Sequence, residues 1–165
     1  MARYRLVTEW ETEAPITQVW DTIIRYDAWP TWWRGVRAVT MLGGGDDSGL
    51  GSVLRQEWRA LLPFPLIFDL EMVRIAGPRL LEGRASGDLV GTCAWSLDQR
   101  GGRSSIQFSI DVRPGRWWMN LPVPFAGWVF RRNFDAVMRW GRRGLARTLG
   151  TPVRDRSDLI MAAAT

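Results

Sequence analysis

Residues 121–149 read LPVPFAGWVFRRNFDAVMRWGRRGLARTL, the longest stretch of the chain with helical periodicity. Phe130, Phe134, Val137, Gly141 and Leu145 recur at three- and four-residue steps, which puts them on one face of a helix. Asn133 and Met138 flank that face, and Arg131, Asp135, Arg139, Arg142 and Arg143 fall mostly opposite. Pro122 and Pro124 restrict the start, and Gly150 followed by Pro152 marks the stop. Burial is worth about 1.5–3 kcal/mol for each large apolar side chain on the stripe, so something must cover it.

The preceding residues supply a sheet for that purpose. Residues 4–12 alternate as a first strand, with Tyr4, Leu6, Thr8 and Trp10 on one face. Pro15 opens a helix carrying Ile16, Val19, Trp20, Ile23 and Ile24. Asp27 is placed to cap a second, short helix with Trp29, Pro30, Trp32 and Trp33. Strand patterns follow at 36–42, 53–61, 67–76, 80–86, 90–98 and 105–112, separated by short turns rich in Gly and Pro. A hairpin about Pro63-Phe64-Pro65 pairs Trp58 with Leu70 and Arg59 with Asp69. The hairpin between the last two of these strands pairs Trp95 with Phe108. Short links make consecutive strands antiparallel. The expected fold is α+β: one antiparallel sheet with an apolar face, two short helices after strand one, and one long terminal helix. Residues 1–150 form a single domain, and 151–165 are expected to be a frayed tail.

Composition narrows the chemistry. The chain of 165 residues has 46% hydrophobic and 24% charged residues, which fits a globular domain with a real core. It contains no His, so imidazole acid–base catalysis and His-ligated metals are excluded. All 22 basic residues are Arg, which removes Schiff-base chemistry. Cys93 is the single cysteine, so there is no internal disulfide. The net charge of +5 is mostly scattered among acids, with a local excess from Arg131 to Arg147, read as a solvated helix face rather than a nucleic-acid surface. No apolar run is long enough to span a bilayer, and the first residues lack a signal-peptide core, so a cytoplasmic protein is expected.

Taken in order, Ala14-Pro15 with Val19-Trp20 and Ile23, then Trp29-Pro30-Thr31-Trp32-Trp33, then Gly87-Asp88-Leu89-Val90-Gly91 with Trp95, and the helix from Asn133 to Leu149 resemble one family. The chain resembles the START-like (SRPBCC) helix-grip superfamily, in its polyketide cyclase/dehydrase and lipid-transport branch, over roughly residues 4–149. The resemblance implies a curved sheet wrapped around the long helix with an apolar cavity between them. One departure is clear: members of the branch often carry His after the Asn, whereas Phe134 follows Asn133 here. Phe134 is then expected to fill space.

The residues placed to line such a cavity are Leu54, Gln56, Trp58, Phe68, Leu70, Met72, Cys93, Trp95, Phe108 and Ile110, facing Phe130, Asn133, Val137 and Gly141. The same residues could form a solid core. Gly141 either leaves space for a ligand or allows close approach of helix and sheet. Gln56 and Asn133, polar on apolar faces, either orient a ligand or tie helix to sheet. Glu82 and Arg84 are the catalytic candidates, and their direction is ambiguous. A two-residue turn at Gly87-Asp88 pairs Glu82 with Cys93 inside, whereas a turn at Gly77-Pro78 pairs Met72 with Gly83 and sends both outward. One turn has another length, or the strand bulges. Facing inward, the pair could polarise a carbonyl or move a proton; facing outward, it is a solvated pair. Trp32, Trp33, Trp117 and Trp118 either form a mouth that touches a membrane transiently or pack over the core edge. Tyr26, at the end of the first helix, is read as structural.

The reading adopted is a binder or carrier of a small hydrophobic, lipid- or polyketide-like molecule, with no cofactor, no metal and no nucleic acid. A cyclase or aromatase using Glu82 and Arg84, and a tryptophan-rich interaction module, are the alternatives.

Overall fold

The computed structural model describes residues 3–120 and 126–156, except the side chains of Trp118 and Asn120. Alternation of apolar and polar residues produces eight strands: β1 (Tyr4–Thr12), β2 (Val36–Gly43), β3 (Val53–Trp58), β4 (Leu66–Ala76), β5 (Leu80–Gly87), β6 (Leu89–Arg100), β7 (Arg103–Pro114) and β8 (Val153–Asp155). They form one antiparallel sheet in the order β2-β3-β4-β5-β6-β7-β1-β8. In β7 the inward set is Ile106, Phe108, Ile110 and Val112, all buried, as a period of two requires. Three helices cover that face: α1 (Ile16–Ile24), α2 (Trp29–Trp32) and α3 (Ala126–Leu149). Sheet and helices together make the helix-grip architecture.

Local signals account for most boundaries. The first backbone N–H of α1 has no side-chain cap of its own; the Ile16 amide donates to Gln99 Oε1 at 3.0 Å, so β6 closes the helix start. Gly150 stops α3 with φ +65°, a left-handed conformation that suits glycine after a helix end. Pro122 and Pro124 lie outside the described residues. Asp27 does not cap α2. It sits inside a 3-10 turn, Tyr26–Ala28, and Ala28 occupies the cap position without a side-chain hydrogen bond.

Two expectations are corrected. The β3–β4 hairpin does not turn tightly at Pro63-Phe64-Pro65. Its register pairs Trp58 with Leu66, Gln56 with Phe68 and Arg55 with Asp69, and residues 59–65 form a long loop. The reason is Asn133 on α3, whose Oδ1 accepts from the backbone N–H of Leu61 at 2.9 Å and of Leu62 at 3.2 Å, drawing the loop toward the helix. The shift is an even number of residues, so every side chain keeps its face. The expected tail also begins too early: Val153 is buried and β8 pairs with β1, Thr12 opposite Val153. An Arg142 guanidinium N–H donating to the Val153 carbonyl at 2.9 Å holds this strand to α3.

The helix layer is joined by two glycines. A Cβ on Gly141 would lie 2.5 Å from the Trp33 indole, and one on Gly144 would run into the carbonyl oxygen of Trp32. The end of α2 therefore seats in a notch on α3, and Trp33 Nε1 donates to the Val137 carbonyl at 2.8 Å. Alanine is the better helix former by about 1 kcal/mol, yet both glycines should resist it. Gly141→Ala should cost about 1–3 kcal/mol in denaturant titration, because the indole must shift. Gly144→Ala should cost more, because its obstacle is backbone rather than a ring at the end of a side chain. Two variants as stable as the parent would show that the helices do not interlock here.

Candidate functional site

Between the sheet's inner face and the first half of α3 lies a partly enclosed hollow of about 70 Å³. Strand β3 contributes Gln56 and Trp58, β4 contributes Phe68, Leu70 and Met72, β6 contributes Cys93 and Trp95, and β7 contributes Phe108 and Ile110. Phe130, Asn133 and Val137 face them from α3. Alternation on the strands and the three- and four-residue steps on the helix place these side chains. The walls are almost wholly apolar, and no charged residue borders the hollow among the described residues.

Two of the expected lining residues lie elsewhere. Leu54 is buried, 2% exposed, but packs in the core away from the hollow. Gly141 does not leave space for a ligand, because the Trp33 indole occupies that space. Other residues border the hollow without having been singled out: Trp29, Ala60, Leu66, Leu81, Gly83, Leu89 and Met138. Leu81 and Gly83 follow once the register of β5 is known. Phe134 fills space as expected, stacked near-parallel to Phe108 with centroids 6.3 Å apart.

That register settles the direction of Glu82 and Arg84. Gly83 pairs with both Met72 and Cys93, so Gly83 faces in while its neighbours face out. The Gly77-Pro78 side of the ambiguity holds, the β5–β6 link is not a two-residue turn, and β4 bulges between Met72 and Arg74. Glu82 and Arg84 lie on the outer face, 3.9 Å from Arg74 and 4.0 Å from Glu71 respectively. Their expected role as an acid–base pair inside the cavity is therefore withdrawn.

The tryptophan mouth is corrected as well. Trp33 is 0% and Trp32 8% exposed, so neither can meet a membrane. Trp33 is instead the hub of an aromatic cluster, with ring centroids 4.9 Å from Trp58, 5.3 Å from Trp29 and 5.8 Å from Trp95. Trp117 is 78% exposed, and the Trp118 side chain lies outside the described residues. Among the described residues no helix is long and apolar enough to cross a membrane.

The polar groups have distinct partners. Asn133 uses its oxygen on the 59–65 loop, a tie between helix and sheet. Gln56, 1% exposed, accepts from Trp58 Nε1 at 2.7 Å, while its Nε2 has no hydrogen-bond partner among the described residues. Burial pushes the Cys93 thiol up to about 12, so it stays protonated. Burial likewise raises the Tyr26 hydroxyl to about 12, and the Tyr26 ring packs edge-on against Trp29. A clasp that no sequence pattern announced closes one end of the sheet. Buried Asp88 accepts from the Ile67 backbone N–H at 2.9 Å and from both Nε and a terminal nitrogen of Arg116, joining β4, the β5–β6 turn and the chain after β7.

Comparison with known proteins agrees with this architecture. A family model described as polyketide cyclase / dehydrase and lipid transport matches residues 3–150. No curated protein matches the chain by sequence. A START superfamily protein from Mycobacterium smegmatis superimposes with a TM-score of 0.67 at 17% identity, covering 88% of this chain and 93% of that one. The Zhui aromatase/cyclase from a Streptomyces species gives 0.63 at 16% identity, covering 90% and 93%. A major latex-like protein from Panax ginseng gives 0.61 at 14% identity, covering 84% and 94%. At such identities the structural likeness speaks for the fold alone. The match along nearly the whole chain, with the curled sheet and long terminal helix, places the protein in the polyketide cyclase/dehydrase and lipid-transport family.

Proposed function

We propose that the protein binds and carries a small hydrophobic molecule in the hollow beneath α3. The observation that carries this reading is an apolar space walled by aromatic rings, with a buried amide donor at its edge. Transfer of an apolar ligand from water into such walls is favourable, and a few polar groups fix its orientation. The walls supply no carboxylate or guanidinium among the described residues, and the Cys93 thiol is held protonated. Both features support burial over acid–base cyclisation, which was the enzyme alternative.

The size of the hollow bears on the ligand. At about 70 Å³ it is roughly half of an apolar cavity of ~150 Å³ that takes up benzene. A ligand of lipid or polyketide size must therefore widen it. Met72 and Met138 border the space, and their unbranched side chains move at little cost. The free protein is then the contracted form of the carrier.

Organic extraction of the purified protein followed by mass spectrometry tests this reading, with a hydrophobic molecule expected in stoichiometric amount. Re-adding that molecule at a hundredfold excess over its Kd should stabilise the protein by about 2.7 kcal/mol, and so raise Tm by roughly 5–10 °C. Val137→Phe, which pushes a ring into the hollow, should abolish the shift. A protein that yields no apolar molecule, and whose Tm is indifferent to compact aromatic compounds, would overturn the proposal.

Cys93 offers an independent check of the walls. At pH 8 iodoacetamide should label the native thiol at least about a hundredfold more slowly than the unfolded chain, because thiolate is the reactive form. The native rate should keep climbing past pH 9 without a plateau. Rapid labelling at pH 8 would show that this wall stands open to water.

A further inference from the structure

The proposal concerns Gln56 and rests on the binding reading above. The side chain is 1% exposed and borders the hollow. Its orientation is not interchangeable. The Trp58 indole nitrogen can only donate, and it lies 2.7 Å from the amide, so the oxygen of Gln56 must face it. The NH2 group is thereby left with two donors and no partner among the described residues. A buried donor without an acceptor is costly, and native structures rarely keep one without a purpose. Trp58 Nε1 donates to Gln56 and Trp33 Nε1 to the Val137 carbonyl, while the Asn133 oxygen already accepts two N–H groups of the 59–65 loop.

We infer that Gln56 is the specificity-determining residue of the hollow: its NH2 group donates to an acceptor oxygen on an uncharged ligand. Neutrality follows from the absence of any cationic side chain at the walls among the described residues. A carboxylate placed there would lose its hydration and gain no counter-ion, so the site rejects anions of the same shape.

Three isosteric probes separate these statements: acetophenone, α-methylstyrene and benzoate, each titrated at pH 8. The first carries an acceptor oxygen, the second replaces it with carbon, and the third is ionised. In the unaltered protein, acetophenone should shift the side-chain NH2 resonances of Gln56 in nitrogen–proton correlation spectra, with one proton moving downfield. α-Methylstyrene should bind without that downfield shift, and benzoate should bind at least tenfold more weakly than acetophenone. Gln56→Met should weaken acetophenone by about two- to tenfold and leave α-methylstyrene within twofold. The amide resonances are read on the unaltered protein, so that arm holds even if the variant folds poorly. Binding of acetophenone with the Gln56 amide unmoved would overturn the role of this residue, and benzoate binding as tightly as acetophenone would overturn the selection for neutral ligands. Both of those outcomes leave the carrier reading intact. Failure of all three probes to bind would overturn this inference alone if an apolar molecule is extracted from the protein, and would remove the carrier reading with it if none is.

Discussion

The indole of Trp33, lodged against Gly141 and bonded to the Val137 carbonyl at 2.8 Å, is the constraint on which the rest of the structure depends. It sets how closely α2 approaches α3, and Gly144 admits the backbone of Trp32 one turn further on. The same ring packs against Trp29, Trp58, Trp95 and Phe108, so one side chain spans the helix layer and the sheet. Aromatic pairs of this kind contribute roughly 0.5–1.5 kcal/mol each beyond the area they bury. Their larger effect is geometric, because they fix one end of the space under the long helix.

That contact divides α3 into two halves with different work. From Gly141 onward it packs solidly: Gly144, Leu145 and Leu149 are buried, and Arg142 reaches β8. Toward the start, Phe130, Asn133, Phe134, Val137 and Met138 roof the hollow. Asn133 reaches out to the 59–65 loop, and Asp88 with Arg116 clasps β4 to the chain after β7. The helix is thus anchored firmly at one end and held at the other by the Asn133 bonds and the stacking of Phe130 on Tyr4, an arrangement that suits the widening proposed above. Opening then asks little of the packed half.

The charged residues of the strands belong mostly to the other side of the sheet. Arg55 with Asp69, Arg74 with Glu82 and Arg84 with Glu71 are cross-strand pairs in solvent. Pairs of this exposure contribute about 0–1 kcal/mol each, so they solubilise the outer face more than they hold it. Their sharp separation from the apolar inner face is what leaves the hollow without a charge. Kinship within the family includes cyclases by name, but chemistry has to be found in the site, and this site offers two amides and a protonated thiol.

The α+β layout was legible in the sequence because most of its elements announce themselves locally, the short β8 excepted, and the resemblance to a family supplied the grip of sheet on helix. A period of two marks the strands, the three- and four-residue steps mark α3, and even the pairing of Trp95 with Phe108 follows from one short turn. Most of the cavity walls were legible for the same reason, since a residue's face depends only on its own strand or helix. The tertiary structure alone decided what depends on distances between elements. Neither the Asn133 contact that lengthens the β3–β4 loop nor the bulge after Met72 that turns Glu82 and Arg84 to solvent has a local signature. The seat of Trp33 at Gly141 joins residues more than a hundred positions apart, and a missing side chain looks the same in sequence whether its space is left empty or taken by a ring from elsewhere.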